Sequence, residues 1–170
     1  MSKRVSLKEF QEGLANRLKA AATESAPSAR LGFEAGGGLW LAKLDSSGEV
    51  LQVPEIQRVP LTRDWFLGVA NIRGALFGVT DFGAFLGGPA TARGPENRLL
   101  LVGQPLGMNC ALLVTRLAGL RNVGEYSAEH SATGAAWSAA TWRDKEGRLW
   151  RELDAPQLLA HRDFLEIAVH

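Results

Sequence analysis

Beyond residue 31 the apolar runs are short, and glycine or proline interrupts them every few residues; this punctuation restricts the fold more than any other feature of the chain. Nineteen glycines and seven prolines leave little room for long helices there and favour many short strands joined by tight turns. Residues 39–44 read as a strand after the glycines at 36–38, and residues 45–48 form a turn before a second strand over 50–53. Pro54 and Pro60 bracket residues 55–59 and restrict that stretch to an edge strand or a bulge. Residues 66–74 and 75–82 give two further strands, with Gly68, Gly74 and Gly78 permitting sharp bends or close backbone approach.

The second half repeats the pattern. Residues 99–102 are continuously apolar, and Met108, Cys110, Leu112 and Val114 share one phase of the next strand. Residues 124–136 carry no periodicity and read as a mobile loop. Residues 137–142 and 148–153 flank the hairpin signature Asp144-Lys145-Glu146-Gly147, and Asp154 then caps a short helix through Pro156, Leu158 and Leu159.

Only the N-terminus has clear helical period. Ser6 and Glu9 make a capping box, Val5 and Phe10 a hydrophobic staple, and Leu7, Phe10, Leu14, Leu18 and Ala21 a stripe on one face. That helix serves either its own domain or a partner. The expected organisation is a helix and linker over 1–30, a domain over 31–160 with a loop near 88–97 between two subdomains, and a tail over 161–170.

Charge and chemistry narrow the function by exclusion. With 19 basic and 18 acidic residues the chain has no field for gathering nucleic acid. No apolar run reaches the ~18 residues of a membrane span, and the start carries no apolar signal-peptide core, so a cytoplasmic protein without membrane insertion is expected. Cys110 is the single cysteine, and with no basic neighbour in sequence it reads as a core residue, not a nucleophile. There is no Gly-Lys dipeptide for a phosphate loop and no Gly-x-Ser-x-Gly elbow, and His130, His161 and His170 stand apart. Asp81 and Glu55 are of the right type for acid–base work, but nothing in their spacing selects that role. The expectation is a protein that is not an enzyme and holds neither cofactor nor metal.

Residues 53–59, then 65–74 with Gly68-Val69-Ala70-Asn71-Ile72-Arg73-Gly74, then 76–82 ending in Asp81-Phe82, resemble the CheW family, which shows a Glu-Ile strand, a Gly-Val-x-Asn-x-Arg-Gly segment and an apolar strand ending in Asp-Leu, in this order. Residues 109–120 and 147–154 resemble the later family strands, so the likeness spans about residues 31–160. Residues 60–66 and the preceding helix are most similar to the branch of type IV pilus chemosensory systems, which control twitching motility.

The resemblance implies a mainly β fold of two fused five-stranded SH3-like barrels, one from each half of the domain, with an N-terminal helix and a short C-terminal helix. It implies a non-catalytic adaptor between a methyl-accepting chemoreceptor and the regulatory domain of a CheA-like histidine kinase. It also implies partner-binding roles for Glu55, Asn71, Arg73, Gly74 and Asp81, with Arg73 and Glu55 close together. The alternative reading of those two residues, less favoured than the binding role, is a simple cross-strand ion pair. A reading of a different class is a small-ligand-binding β-barrel whose tryptophans, Trp40, Trp65, Trp137, Trp142 and Trp150, line a pocket.

Overall fold

A computed structural model describes residues 28–45, 47–130 and 134–170. The expected N-terminal helix and most of its linker lie outside the described residues. The domain is mainly β, built from two sheets. One has six strands in the order β8-β1-β2-β11-β10-β9, and the other five in the order β3-β6-β7-β5-β4. Strands β1 (Ala29–Ala35) and β2 (Gly38–Lys43) form an antiparallel hairpin around the Gly36-Gly37 turn. Strands β3 (Ser47–Gln52), β4 (Phe66–Ile72), β5 (Ala75–Asp81), β6 (Arg98–Val102) and β7 (Cys110–Val114) make the second sheet. The chain then returns to the first sheet with β8 (Arg116–Asn122), β9 (Ser127–Glu129), β10 (Ser138–Arg143) and β11 (Leu149–Leu153).

The barrels are therefore not one per half of the chain, as expected from sequence. The five-stranded sheet is a continuous middle segment, while the six-stranded sheet joins both flanks through the parallel pairing of β2 with β11, Leu39 opposite Trp150 and Ala42 opposite Leu153. Two further differences are local. Residues 55–59 form no strand, because prolines at both ends leave a single bridge, Gln57 to Val69. Part of the expected 124–136 loop is ordered: a 3₁₀ turn at Val123–Glu125 leads into β9, which pairs with β10 through Ala128 opposite Trp142. Three residues are too short for a strand period to register in sequence.

Strand alternation sorts the apolar residues into three cores. Leu99, Leu101, Ala111 and Leu113 join Ala70, Ile72, Phe77 and Val79 inside the five-stranded barrel. Their neighbours Leu100, Val102, Leu112 and Val114 face the opposite way and pack with Phe33, Trp40, Phe82 and Trp137 in a core between the sheets. Leu41, Val123 and Trp150 form the third, inside the other barrel. Strands β6 and β7 are thus covered on both faces, which is why they read as unbroken apolar runs.

Three short α-helices occur among the described residues. Helix α1 (Phe82–Phe85) follows β5, and α2 (Ala155–Ala160) and α3 (Arg162–Leu165) follow β11. Asp154 caps α2 by accepting from Gln157 N at 3.0 Å, as its sequence position predicts. Residues 167–169 turn back along residues 61–63, with Arg63 N donating to Ile167 O and Val169 N donating to Leu61 O.

Candidate functional site

The Asn-x-Arg-Gly segment is the turn between β4 and β5. Ile72 pairs with Ala75, so Arg73 and Gly74 are the two central residues of a two-residue hairpin. Both have positive φ, 52° and 83°, the pattern of a type I′ turn whose twist suits the flanking strands. Glycine takes this conformation freely, whereas arginine is strained in it. Asn71 supports the turn by accepting from Gly74 N at 2.9 Å. Asn71 and Gly74 therefore shape the loop that holds Arg73 out, its side chain 69% exposed.

Arg73 is paired, but not with Glu55. Its two terminal nitrogens donate to the two carboxylate oxygens of Glu49 on β3, Nη1 to Oε2 at 2.6 Å. These hydrogen bonds hold the Glu49 carboxyl below its usual range and push Arg73 higher. The expected Arg73–Glu55 pair is replaced because β3 ends at Gln52, and Glu55 falls past Pro54, where the chain has left the sheet. Glu55 is exposed in that irregular segment. Glu49 escaped the sequence reading because it stands one residue ahead of the apolar run at 50–53.

Asp81 lies at the far end of β5 and is 1% exposed. It caps α1 by accepting from Ala84 N at 3.2 Å, and it accepts from the backbone and hydroxyl of Thr91 at 2.7 and 2.6 Å. That position tethers the 87–97 loop and offers nothing to a partner's surface. Leu76, in contrast, pairs with Asn71 and is 62% exposed beside the turn. Sequence gave no cue to it, since it sits in an apolar run that reads as core. The site that emerges is an exposed patch of Asn71, Arg73, Gly74 and Leu76, backed by Glu49.

Burial raises the Cys110 thiol to about 12. No cluster of three or more His, Cys, Asp or Glu placed to hold a metal occurs among the described residues. No helix among them is long and apolar enough to cross a membrane. Trp40 and Trp150 are fully buried in the cores, while Trp65 and Trp137 border a surface cleft.

A family model described as the CheW-like domain matches residues 30–163. The chain is 29% identical over 145 residues to Protein PilI of Pseudomonas aeruginosa, covering 82% of this chain and 79% of that protein. Its fold is similar to that of the scaffolding protein TtCheW from Thermoanaerobacter tengcongensis, with a TM-score of 0.69 over 83% of this chain and 92% of the other at 17% identity.

Proposed function

Because the chain belongs to the CheW-like domain family, we propose that it is a non-catalytic adaptor coupling a methyl-accepting chemoreceptor to a CheA-like histidine kinase, in the chemosensory system that controls type IV pilus twitching motility. The observation that carries this reading is the extent of the match, which spans both sheets and runs into the C-terminal helices. The similarity to PilI supports the pilus branch.

Within that role the β4–β5 turn is the contact surface. An exposed apolar residue, Leu76, beside a rigidly presented arginine is the composition of a small interaction hot spot. Asn71 and Gly74 set the shape of the turn, and Glu49 fixes the direction of the guanidinium. Glu55 lies on the segment leaving β3 and is exposed for contact. Asp81 acts from within the fold, by positioning α1 and the loop it tethers.

Co-purification from cells with a tagged chain tests the role: a histidine kinase and a chemoreceptor are expected in the eluate, and their absence overturns it. Leu76→Asp is expected to remove at least one of the two while leaving the melting temperature within a few degrees of the parent. Retention of both partners by that variant would move the contact surface elsewhere.

A further inference from the structure

A cleft of about 560 Å³ opens between α1, the residues before β10 and β4, and the C-terminal helices. Its aromatic wall is Trp65, Phe85 and Trp137; Trp65 stands edge-on to Phe85 at 5.2 Å and Phe85 lies 5.8 Å from Trp137. Its polar side groups are Arg63, Arg151, His161 and Asp163. Three potential cations thus face one carboxylate around an aromatic floor.

The two arginines are held in place, Arg151 without a carboxylate partner among the described residues and Arg63 with only a long, shared one. Arg151 lies over the Trp40 ring, its guanidinium carbon 4.6 Å from the ring centre, and no carboxylate among the described residues is within ion-pair distance of it. Arg63 is anchored by donating from Nε to Glu166 O at 2.8 Å, but the Glu166 carboxylate is committed to Arg162 at 2.7 Å and stands 4.0 Å from Arg63. The Nδ1 of His161 is buried and has no hydrogen-bond partner among the described residues; its nearest carboxylate is Asp163 at 4.0 Å. An arginine without a carboxylate partner among the described residues, Arg151, and a second, Arg63, that only shares Glu166 with Arg162, beside an aromatic wall, are what a site for an anion on an apolar body requires.

We infer that this cleft binds an anionic group, a carboxylate above all, carried on an aromatic or branched apolar body. The carboxylate is gripped by Arg63 and Arg151, and the body lies against Trp65 and Trp137. A cavity of this size takes one aromatic side chain with its neighbours, so the carboxylate comes either from an acidic residue beside an aromatic one in a polypeptide or from a free aromatic acid. The site is separate from the proposed contact turn: Trp65 precedes β4 and Arg73 follows it, and seven strand residues at about 3.3 Å each put them roughly 20 Å apart.

The test is a titration followed by tryptophan fluorescence and by the indole N–H resonances, assigned with Trp65→Phe and Trp137→Phe. The probes are 3-phenylpropionate, its neutral amide, the capped tripeptide Glu-Phe-Glu and its glutamine counterpart. Each acidic probe that binds is expected to do so at least about tenfold more tightly than its neutral counterpart, moving the Trp65 and Trp137 signals. Binding of both acidic probes assigns the site to the carboxylate alone, and binding of the peptide only assigns it to a polypeptide. Arg63→Gln and Arg151→Gln are each expected to weaken binding several-fold, with Arg151→Lys restoring part of it. Failure of both acidic probes, equal binding of acid and neutral forms, or full binding by the Arg63→Gln, Arg151→Gln double variant would overturn the proposal.

Discussion

Arg73 and Glu49 join the two edges of the five-stranded sheet. β3 and β4 stand at opposite ends of its strand order, yet the turn after β4 reaches Glu49 on β3 through a two-pronged ion pair. The pair closes this end of the barrel and fixes the one exposed arginine of the turn in a single direction.

Arg73→Ala is expected to weaken partner association by at least about tenfold, with little change in melting temperature, because an exposed pair adds little to stability. Exchanging the charges, Arg73→Glu with Glu49→Arg, rebuilds the closure but not the surface. Restored partner binding in that double variant would show that the pair only ties the barrel edges together.

The same pair gives a pH signature. The folded state holds Glu49 below its unfolded value, so the stabilisation is present above the usual carboxylate range of about 4 and fades as pH falls through the lower folded value. Any gap in melting temperature between parent and Glu49→Gln should be small, greatest near neutral pH, and close in acid.

Asp144 predicts a second acid transition. Desolvation would raise its carboxyl, but donation from Trp150 Nε1 at 2.9 Å and from the Arg148 backbone and side chain, both at 2.8 Å, outweighs this and brings it to about 2. The β10–β11 turn is therefore expected to hold its stabilisation down to lower pH than an ordinary aspartate would allow. Melting of Asp144→Asn against the parent should show a gap that is full above about pH 4 and closes only as pH falls toward 2.

Glu152 is 3% exposed and accepts from Arg30 Nε at 2.7 Å and Trp142 Nε1 at 2.8 Å. Arg30→Met leaves that carboxylate buried without its cation and should cost about 3–5 kcal/mol in denaturant unfolding. Adding Glu152→Gln should recover much of the loss, since the stranded charge is then gone.

Gly68 has φ 131°, and a β-carbon there would overlap the carbonyl of Gln57, which accepts from Val69 N at 2.9 Å. Gly68→Ala should destabilise the fold by about 2 kcal/mol or more in the same measurement, through backbone strain and loss of the Gln57 bridge.

What the sequence made legible follows the physics of each signal. Alternation and glycine spacing located the strands on either side of the β4–β5 turn and the β10–β11 hairpin, and Asp154 announced its helix, because these depend on neighbours in the chain. The Arg73–Glu49 pair, the burial of Asp81 and the exposure of Leu76 depend on which strands meet. Pairing across 24 residues leaves no local trace in a chain read one window at a time. Resemblance identified Arg73, Asn71 and Gly74 together, and the structure supplies the reason those residue types belong in one turn.

The parallel seam between β2 and β11 also dictates an order of assembly. During synthesis the strands from β3 to β7 emerge as one uninterrupted stretch with their barrel core complete, and can fold while the rest of the chain is still being made. The hairpin of β1 and β2 appears earlier and gains β8 along β1, but the free edge of β2 must wait for β11, whose pairing closes a loop spanning most of the domain. The outer edge of β2, among the first described strands to be translated, is therefore among the last to be secured. A nonsense mutation between residues 123 and 149 would leave β1 its pairing with β8 but strip β2 of β11, with the middle barrel still able to form.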